Sequence, residues 1–412
     1  MTDDPAGTRQ ATPERPSTPT PAVSVALVVA IVLVATNLRA TLTGVGPLLP
    51  QIEHDTGLSP TWGGLLTTLP LLTFALTSPL VGRVSHRIGT ARLVVFALLL
   101  LVAGTVIRSL PGSGFLFVGT VALSAAIACG NVLLPSVIRR TVPANRIGAI
   151  SGLYVAVMGV VAAVSSGVSV PLANTLPGSW HTALAWGLVF AVVALAVWIP
   201  RIRHDQPAPA GSTHARIPWR SGLAWQVSVF MGLQSLGFYT VLAWLPSILA
   251  RQGTTAEAAG WILFYYQVIA LIASSAAPLL TRGRSDQRWV AVSAALLVVA
   301  GFGVLLAAPS LALLSVTLLG LGGGTCLVLA LGFQSQRAAD HTQAAALAGM
   351  AQSIGYLIAA VGPLALGAIH DATGEWTLPL VVLGSLSLLL AIMGYGAGRD
   401  RFLPTAGAHP KS

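Results

Sequence analysis

An arginine stands near the middle of the first long apolar stretch of this chain, in Ala35-Thr36-Asn37-Leu38-Arg39-Ala40-Thr41. A charge at bilayer depth costs roughly 2.5 to 3.5 kcal/mol on insertion scales, so such residues face a bundle interior or an aqueous cavity. A guanidinium is permanently charged and presents a planar fork of donors. That fork suits a small anion, or the nitro or carboxyl group of a heterocycle. Thr43 stands four residues on, sharing a helical face with Arg39. The competing reading is that Arg39 pairs with carbonyls or amides and locks helix packing.

The elements that must hold this arginine are membrane spans. The chain has 412 residues, 54% hydrophobic and 8% charged, with a mean hydropathy of +0.80, which excludes a water-soluble globular domain. About 20 apolar residues cross roughly 30 Å of hydrocarbon as helix. Twelve such segments are expected near 23 to 49, 62 to 82, 92 to 109, 115 to 138, 148 to 171, 181 to 199, 221 to 249, 258 to 280, 289 to 307, 310 to 333, 344 to 369 and 377 to 397. The expected domains are a disordered tail (1–22), a six-helix bundle (23–200), a linker (201–220), a second six-helix bundle (221–398) and a C-terminal tail (399–412). The first 22 residues are rich in Pro and Thr and lack the basic start of a secretory signal.

The net charge of +10 is topogenic, not a nucleic-acid footprint. Nineteen of the 22 cations fall in the tails or after even-numbered helices; only Arg251 is clearly opposite, with Arg39 and Arg108 within or at the ends of helices. The positive-inside rule then puts both termini in the cytoplasm, with the chain in the cell membrane. Arg108, at the outer end of helix 3, is expected to snorkel. Trp62, Trp180, Trp198, Trp225, Trp261, Trp289 and Trp376 sit at helix ends, where anchoring at the interface is expected.

The halves repeat at an offset of about 197 residues. Pro50 corresponds to Pro246, Gly64 to Gly260, Asn37 to Gln234, Cys129 to Cys326, Arg140 to Arg337 and Trp180 to Trp376. Two six-helix halves are one arrangement that transporters use for alternating access around a central site. The cysteines fall on opposite halves, so small buried apolar residues are expected in place of a disulfide.

The chain resembles the major facilitator superfamily, and more narrowly its cyanate and 2-nitroimidazole permease branch. The resemblance rests on Asn37-Leu38-Arg39 followed by Gly44-Val45-Gly46-Pro47-Leu48-Leu49-Pro50, and on Gly130-Asn131-Val132-Leu133-Leu134-Pro135 in helix 4. It rests also on Gln234-Ser235-Leu236-Gly237-Phe238-Tyr239 in helix 7 and Met350-Ala351-Gln352-Ser353-Ile354-Gly355-Tyr356 in helix 11. The superfamily's loop between helices 2 and 3 reads here Gly82-Arg83-Val84-Ser85-His86-Arg87-Ile88-Gly89, with His86 where the acid stands. Gly82, Arg87, Gly89 and Arg92 keep its turn and positive face as a conformational loop.

The resemblance implies an all-α fold with two pseudo-symmetric bundles whose helices 1, 4, 7 and 10 line a central cavity. Candidate substrate residues are then Asn37, Arg39, Thr43, Asn131, Gln234, Tyr239, Gln352 and Tyr356, with Gln334 near the inner end of helix 10. For Asn131, Gln234 and Gln352, interhelical hydrogen bonding is the alternative; for the tyrosines, packing. No acid falls in the interior of an expected helix, and the eight histidines lie in loops or at helix ends. A membrane-embedded enzyme, a metal site or a carboxylate proton carrier therefore lacks candidates. Gly320-Leu321-Gly322-Gly323-Gly324 lies in an apolar span without a following Lys, which argues against a nucleotide.

The expectation is a monomeric secondary transporter in the bilayer, without cofactor or nucleic-acid partner, for a small anionic or polar solute. A broad-range drug exporter is the alternative. It would bind bulky cations and would more naturally use an acidic cavity than an arginine. In a Cys129→Ala, Cys326→Ala background, Gly253→Cys should react with a membrane-impermeant thiol reagent in intact cells and Gly211→Cys should not. The reverse pattern would overturn the topology.

Overall fold

The computed structural model describes residues 25–204 and 217–403. The expected N-terminal tail, the middle of the linker and most of the C-terminal tail lie outside the described residues. The first half comprises α1 (Val25–Ala40), α2 (Val45–Thr56), α3 (Pro60–Ile88), α4 (Thr90–Arg108), α5 (Ser113–Thr141), α6 (Ala144–Thr175), α7 (Ser179–Ala185) and α8 (Leu188–Trp198). The second comprises α9 (Gly222–Arg251), α10 (Ala256–Thr281), α11 (Arg288–Ala307), α12 (Ala312–Gln336), α13 (His341–Thr373) and α14 (Thr377–Ala397). The pair α1 and α2, bent by 41°, forms one span, and α7 with α8 another, giving six spans in each half.

Ten of these helical spans are long and apolar enough to cross a bilayer alone, and the bent pair makes eleven. The twelfth is α3, whose 29 residues reach across at about 1.5 Å each but include several Thr, Ser, Gly and Pro. One face, with Leu66, Pro70, Phe74 and Ser78 spaced by four, forms a stripe along a cavity, and other faces pack on α5 and α13, so little of the helix is left to face lipid. The expected loop between helices 2 and 3 is shorter than the sequence reading. Here α3 runs through Gly82 to Ile88, and a single residue, Gly89 at φ +94°, turns the chain into α4.

The break in the first span has a local cause. Pro47 has no N–H, so the carbonyl of Thr43 loses the donor that an unbroken helix would supply. At the corresponding position of α9 stands Trp244, and α9 is continuous from Gly222 to Arg251. The freed carbonyls find partners on neighbouring helices. Ser165 Oγ donates to Ala40 O (2.7 Å) and Ser166 Oγ to Thr43 O (3.0 Å), both from α6. Arg108 Nη1 donates to Thr41 O (2.7 Å), and its Nη2 reaches Leu184 O (2.9 Å) at the end of α7. Arg108 is completely buried. It does not snorkel; it joins the two broken spans, because their orphan carbonyls offer a buried guanidinium better partners than the interface.

The tryptophans divide. Trp62, Trp225, Trp261 and Trp289 are exposed at the periphery, as interface anchors require. Trp180, Trp198 and Trp376 are buried instead. Trp180 Nε1 donates to Asp55 Oδ2 (3.0 Å) and Trp198 Nε1 to Ala30 O (3.1 Å), so these two indoles tie helices together. Cys129 and Cys326 are buried free thiols on opposite halves.

The halves meet through α3 on α13, α6 on α10 and α2 on α9. The contacts cluster at the ends remote from the termini. Thr68 Oγ1 donates to Ala360 O (3.0 Å), Trp244 Nε1 bonds Pro363 O within the second half (2.8 Å), and Asp371 Oδ2 accepts from Thr61 N (2.8 Å) and from the Thr61 hydroxyl. Gly46 and Gly64 lie flat against the backbone of Leu242 and Pro363, where a Cβ would have no room. This seal also corrects the expected placement of the acids. Continuation of the first span to Thr56 carries Glu53 into it, against Gly63 and within electrostatic range of Asp371.

Removing the Arg108 guanidinium strands two buried carbonyls, each at about 1 to 3 kcal/mol. Arg108→Leu should therefore lose roughly 3 kcal/mol of stability, read as a lowered thermal transition in detergent, with Arg108→Lys in between. Unchanged transitions in both would show that the clamp contributes nothing.

Candidate functional site

A cavity of about 630 Å³ lies between the halves, a volume suited to a small molecule. It reaches Tyr154 of α6, Ser274 of α10 and Leu331 of α12, toward the helix ends on the termini side. The opposite side is closed by the seal. The structure is therefore the state open toward the face that carries the termini.

Seven of the eight candidate residues line this cavity: Arg39, Thr43, Asn131, Gln234, Tyr239, Gln352 and Tyr356. Arg39 belongs to the first half. Its guanidinium lies beside the hydroxyl of Tyr239 from α9 and within electrostatic range of Tyr356 from α13. Although deep in the protein, Arg39 is only half-buried, because its side chain opens on the cavity. No carboxylate lines the cavity among the described residues. The cationic charge is thus answered by phenol oxygens and by whatever enters.

The other polar groups differ in how free they are. Thr43 Oγ1 donates to Ala162 O (2.9 Å), so its proton is already committed. Gln234 Nε2 donates to Ser235 Oγ (2.6 Å) and faces Met231 Sδ (3.4 Å). Asn131 and Gln352 are half-buried on the cavity wall. The walls between them are aromatic: Phe74 packs edge-on against Tyr356 (6.3 Å between centroids) and Phe238 against Tyr239 (5.3 Å). A flat solute fits such walls, with its charged or dipolar end at Arg39.

Asn37 is placed elsewhere. It is 1% exposed, donates to Leu33 O (2.7 Å), and sits in a small apolar pocket among Val94, Leu98, Leu101 and Ile127. The physical reason is rotation. Residues two apart on a helix point about 200° from each other, so Asn37 and Arg39 do not share a wall. Gln334 is buried in α12 and is not among the lining residues. Of the loop residues, Gly89 forms the turn, while Arg87 and Arg92 are exposed at its two sides.

The cavity also takes in residues outside the candidate set, among them Gln267 on α10, Tyr154 on α6 and Phe74 on α3. These residues stand on helices 8, 5 and 2, outside the four that the resemblance implies as cavity-lining. Gln267 alone carried a signal, an amide in the middle of an apolar span.

The fold, the bent first span and a site shared by two halves define a solute carrier. Over residues 27–360 the chain matches the Major Facilitator Superfamily, and it belongs to that family. It is 43% identical over 380 residues to the 2-nitroimidazole transporter of Escherichia coli (strain K12), covering 92% of this chain and 96% of that one. Its identity to the cyanate transport protein CynX of the same organism is 29% over 366 residues, 85% of this chain and 91% of that one. The fold is shared with a bacterial homologue of the human lysosomal transporter Spinster in an inward-facing, occupied conformation. There the TM-score is 0.77 at 15% identity, over 92% of this chain and 98% of the other. The protein is a multi-pass membrane transporter of small solutes, not an enzyme.

The placement of Asn37 separates packing from binding. Asn37→Ala should leave ligand affinity within about twofold while lowering stability by about 1 kcal/mol through the lost buried hydrogen bond. A large loss of affinity in a well-folded Asn37→Ala protein would place that residue in the site after all.

Proposed function

We propose that this protein carries a small, flat, anionic or strongly dipolar solute, a carboxylate- or nitro-bearing ring or a cyanate-like ion, by alternating access across the cytoplasmic membrane. The observation that carries this reading is the Arg39 guanidinium. It opens into a cavity with no lining carboxylate among the described residues, beside Tyr239 of the other half. A buried cation without a counter-ion is costly, and an anionic or polar ligand offsets that cost at low local dielectric. Bidentate contact with a nitro or carboxyl group uses the guanidinium fork as a point charge does not.

The names of the relatives agree with this chemistry: one carries 2-nitroimidazole, another cyanate. A cationic drug would meet repulsion at Arg39, so the exporter alternative gains nothing from this cavity. Because Arg39 comes from the first half and Tyr239 and Tyr356 from the second, a ligand held by all three bridges both halves. It can shift their equilibrium only through its differing affinity for the two states. The lopsided cations support cytoplasmic termini, and on that reading the present state is inward-open. The bundles 23–200 and 221–398 act as the moving units of a monomer, with Gly82, Arg87, Gly89 and Arg92 at the turn that rearranges as they rock.

The test is equilibrium binding on purified, monodisperse variants, with 2-nitroimidazole, benzoate and cyanate as probes and a cationic dye as control. Arg39→Gln and Arg39→Ala should fold but lose on the order of 2 to 5 kcal/mol of affinity, the range for truncating one member of a buried charge-assisted pair. Arg39→Lys should keep part of it. If Arg39→Gln binds as tightly as wild type, or if only the dye binds, the anion-site reading fails.

A further inference from the structure

The side chain of Gln267, on α10, reaches the cavity although it is only 5% exposed. Its Nε2 donates to Ser166 Oγ (2.7 Å) across the interface between the halves, and more weakly to Leu263 O (3.4 Å). Ser166 has one hydroxyl proton, and its Oγ lies 3.0 Å from Thr43 O and 3.2 Å from Ala162 O. Both are carbonyls, which only accept, so the proton is committed to them. Ser166 Oγ must therefore accept from Gln267.

That fixes which way the amide points. Turning it over would set Oε1 against the Ser166 lone pairs and the Leu263 carbonyl, losing both bonds. The oxygen left over, Gln267 Oε1, is buried and has no partner among the described residues. A buried acceptor without a donor is costly, and a ligand that supplies the donor recovers the difference. The amide also has a defined place relative to Arg39. Thr43 N bonds Arg39 O (3.3 Å), so the carbonyl that anchors Ser166 lies one turn beyond Arg39, toward the sealed end.

We infer that Gln267 is a specificity-determining residue: its Oε1, held by Ser166, accepts from a ring N–H or O–H of a solute whose nitro or carboxyl group is bound at Arg39. The substrate class is then an aromatic or heteroaromatic ring that carries an acceptor or anionic group for Arg39 and, besides it, a ring N–H or O–H donor. A cyanate-sized ion has no donor for this position. This inference rests on the reading of the central cavity as the substrate site.

Two matched probe pairs test it by equilibrium binding to the purified full chain: 2-nitroimidazole against 1-methyl-2-nitroimidazole, and 4-hydroxybenzoate against 4-methoxybenzoate. Methylation removes the donor in each. Wild type should prefer the donor-bearing member of at least one pair by about tenfold or more, the scale of one buried hydrogen bond. Gln267→Met should bind both members within about threefold, with affinity still dependent on Arg39. Ser166→Ala frees the amide to turn and should reduce the preference while leaving Gln267 in place, so it gives a readout even where Gln267→Met folds poorly. A merely structural Gln267 would change both affinities together and leave their ratio intact. If binding depends on Arg39 but the ratio is near one in wild type, or survives in both variants, this inference is overturned and the central-site reading stands. If no probe of either pair binds wild type, both fall.

Discussion

The carbonyl of Thr43 has no donor in its own helix, because the residue four positions on is Pro47, and the architecture around the site follows from how that group and its neighbours are satisfied. In lipid no water is at hand to do it, so the donors come from protein. Ser165 and Ser166 of α6 cap Ala40 and Thr43, and Arg108 of α4 caps Thr41. These bonds fix α6 and α4 against the bend and leave Arg39 at the end of α1, where it opens on the cavity. The proline thus determines which helices surround the arginine. Through Ser166 the same network reaches Gln267 in the other half.

Three arginines show how surroundings assign different work to one side chain. Arg108 is fully buried and holds two broken spans together through their carbonyls. Arg337, 2% exposed, closes one end of the second half by donating to Ala397 O, Gly398 O and Ser285 O. Arg39 is half-buried, opens on the cavity and stands beside phenol oxygens in place of a full set of carbonyls. Burial alone does not separate an arginine committed to the architecture from one left free for a ligand; the number of acceptors already in place does.

Much of the fold was legible because apolar length and the placement of cations act along the chain, where a sequence displays them directly. Arg39 was legible for the same reason, since a charge in an apolar run needs compensation whatever the tertiary structure. What the sequence hid depends on rotation about helix axes and on neighbours distant in sequence. Asn37 is a polar neighbour of Arg39 in the chain yet faces the other way. Arg108 is placed at a helix end by the sequence, but its partners, Thr41 and Leu184, are 67 and 76 residues away. Gln267 stands on helix 8, outside the four helices that the resemblance implies as cavity-lining, and its partner, the Ser166 hydroxyl, is 101 residues distant. Glu53 lay beyond the expected end of the first helix, which α2 prolongs to Thr56.

The seal opposite the termini is made largely of backbone lying on backbone, with Gly46 against Leu242 and Gly64 against Pro363. A methyl group added there has no cavity to occupy and would wedge the halves apart, yet it meets nothing once they have separated. Such a substitution burdens one conformation and spares the other. Those glycines are therefore handles on the conformational equilibrium, and their tolerance to change measures how much of the transport cycle is spent closed on that side.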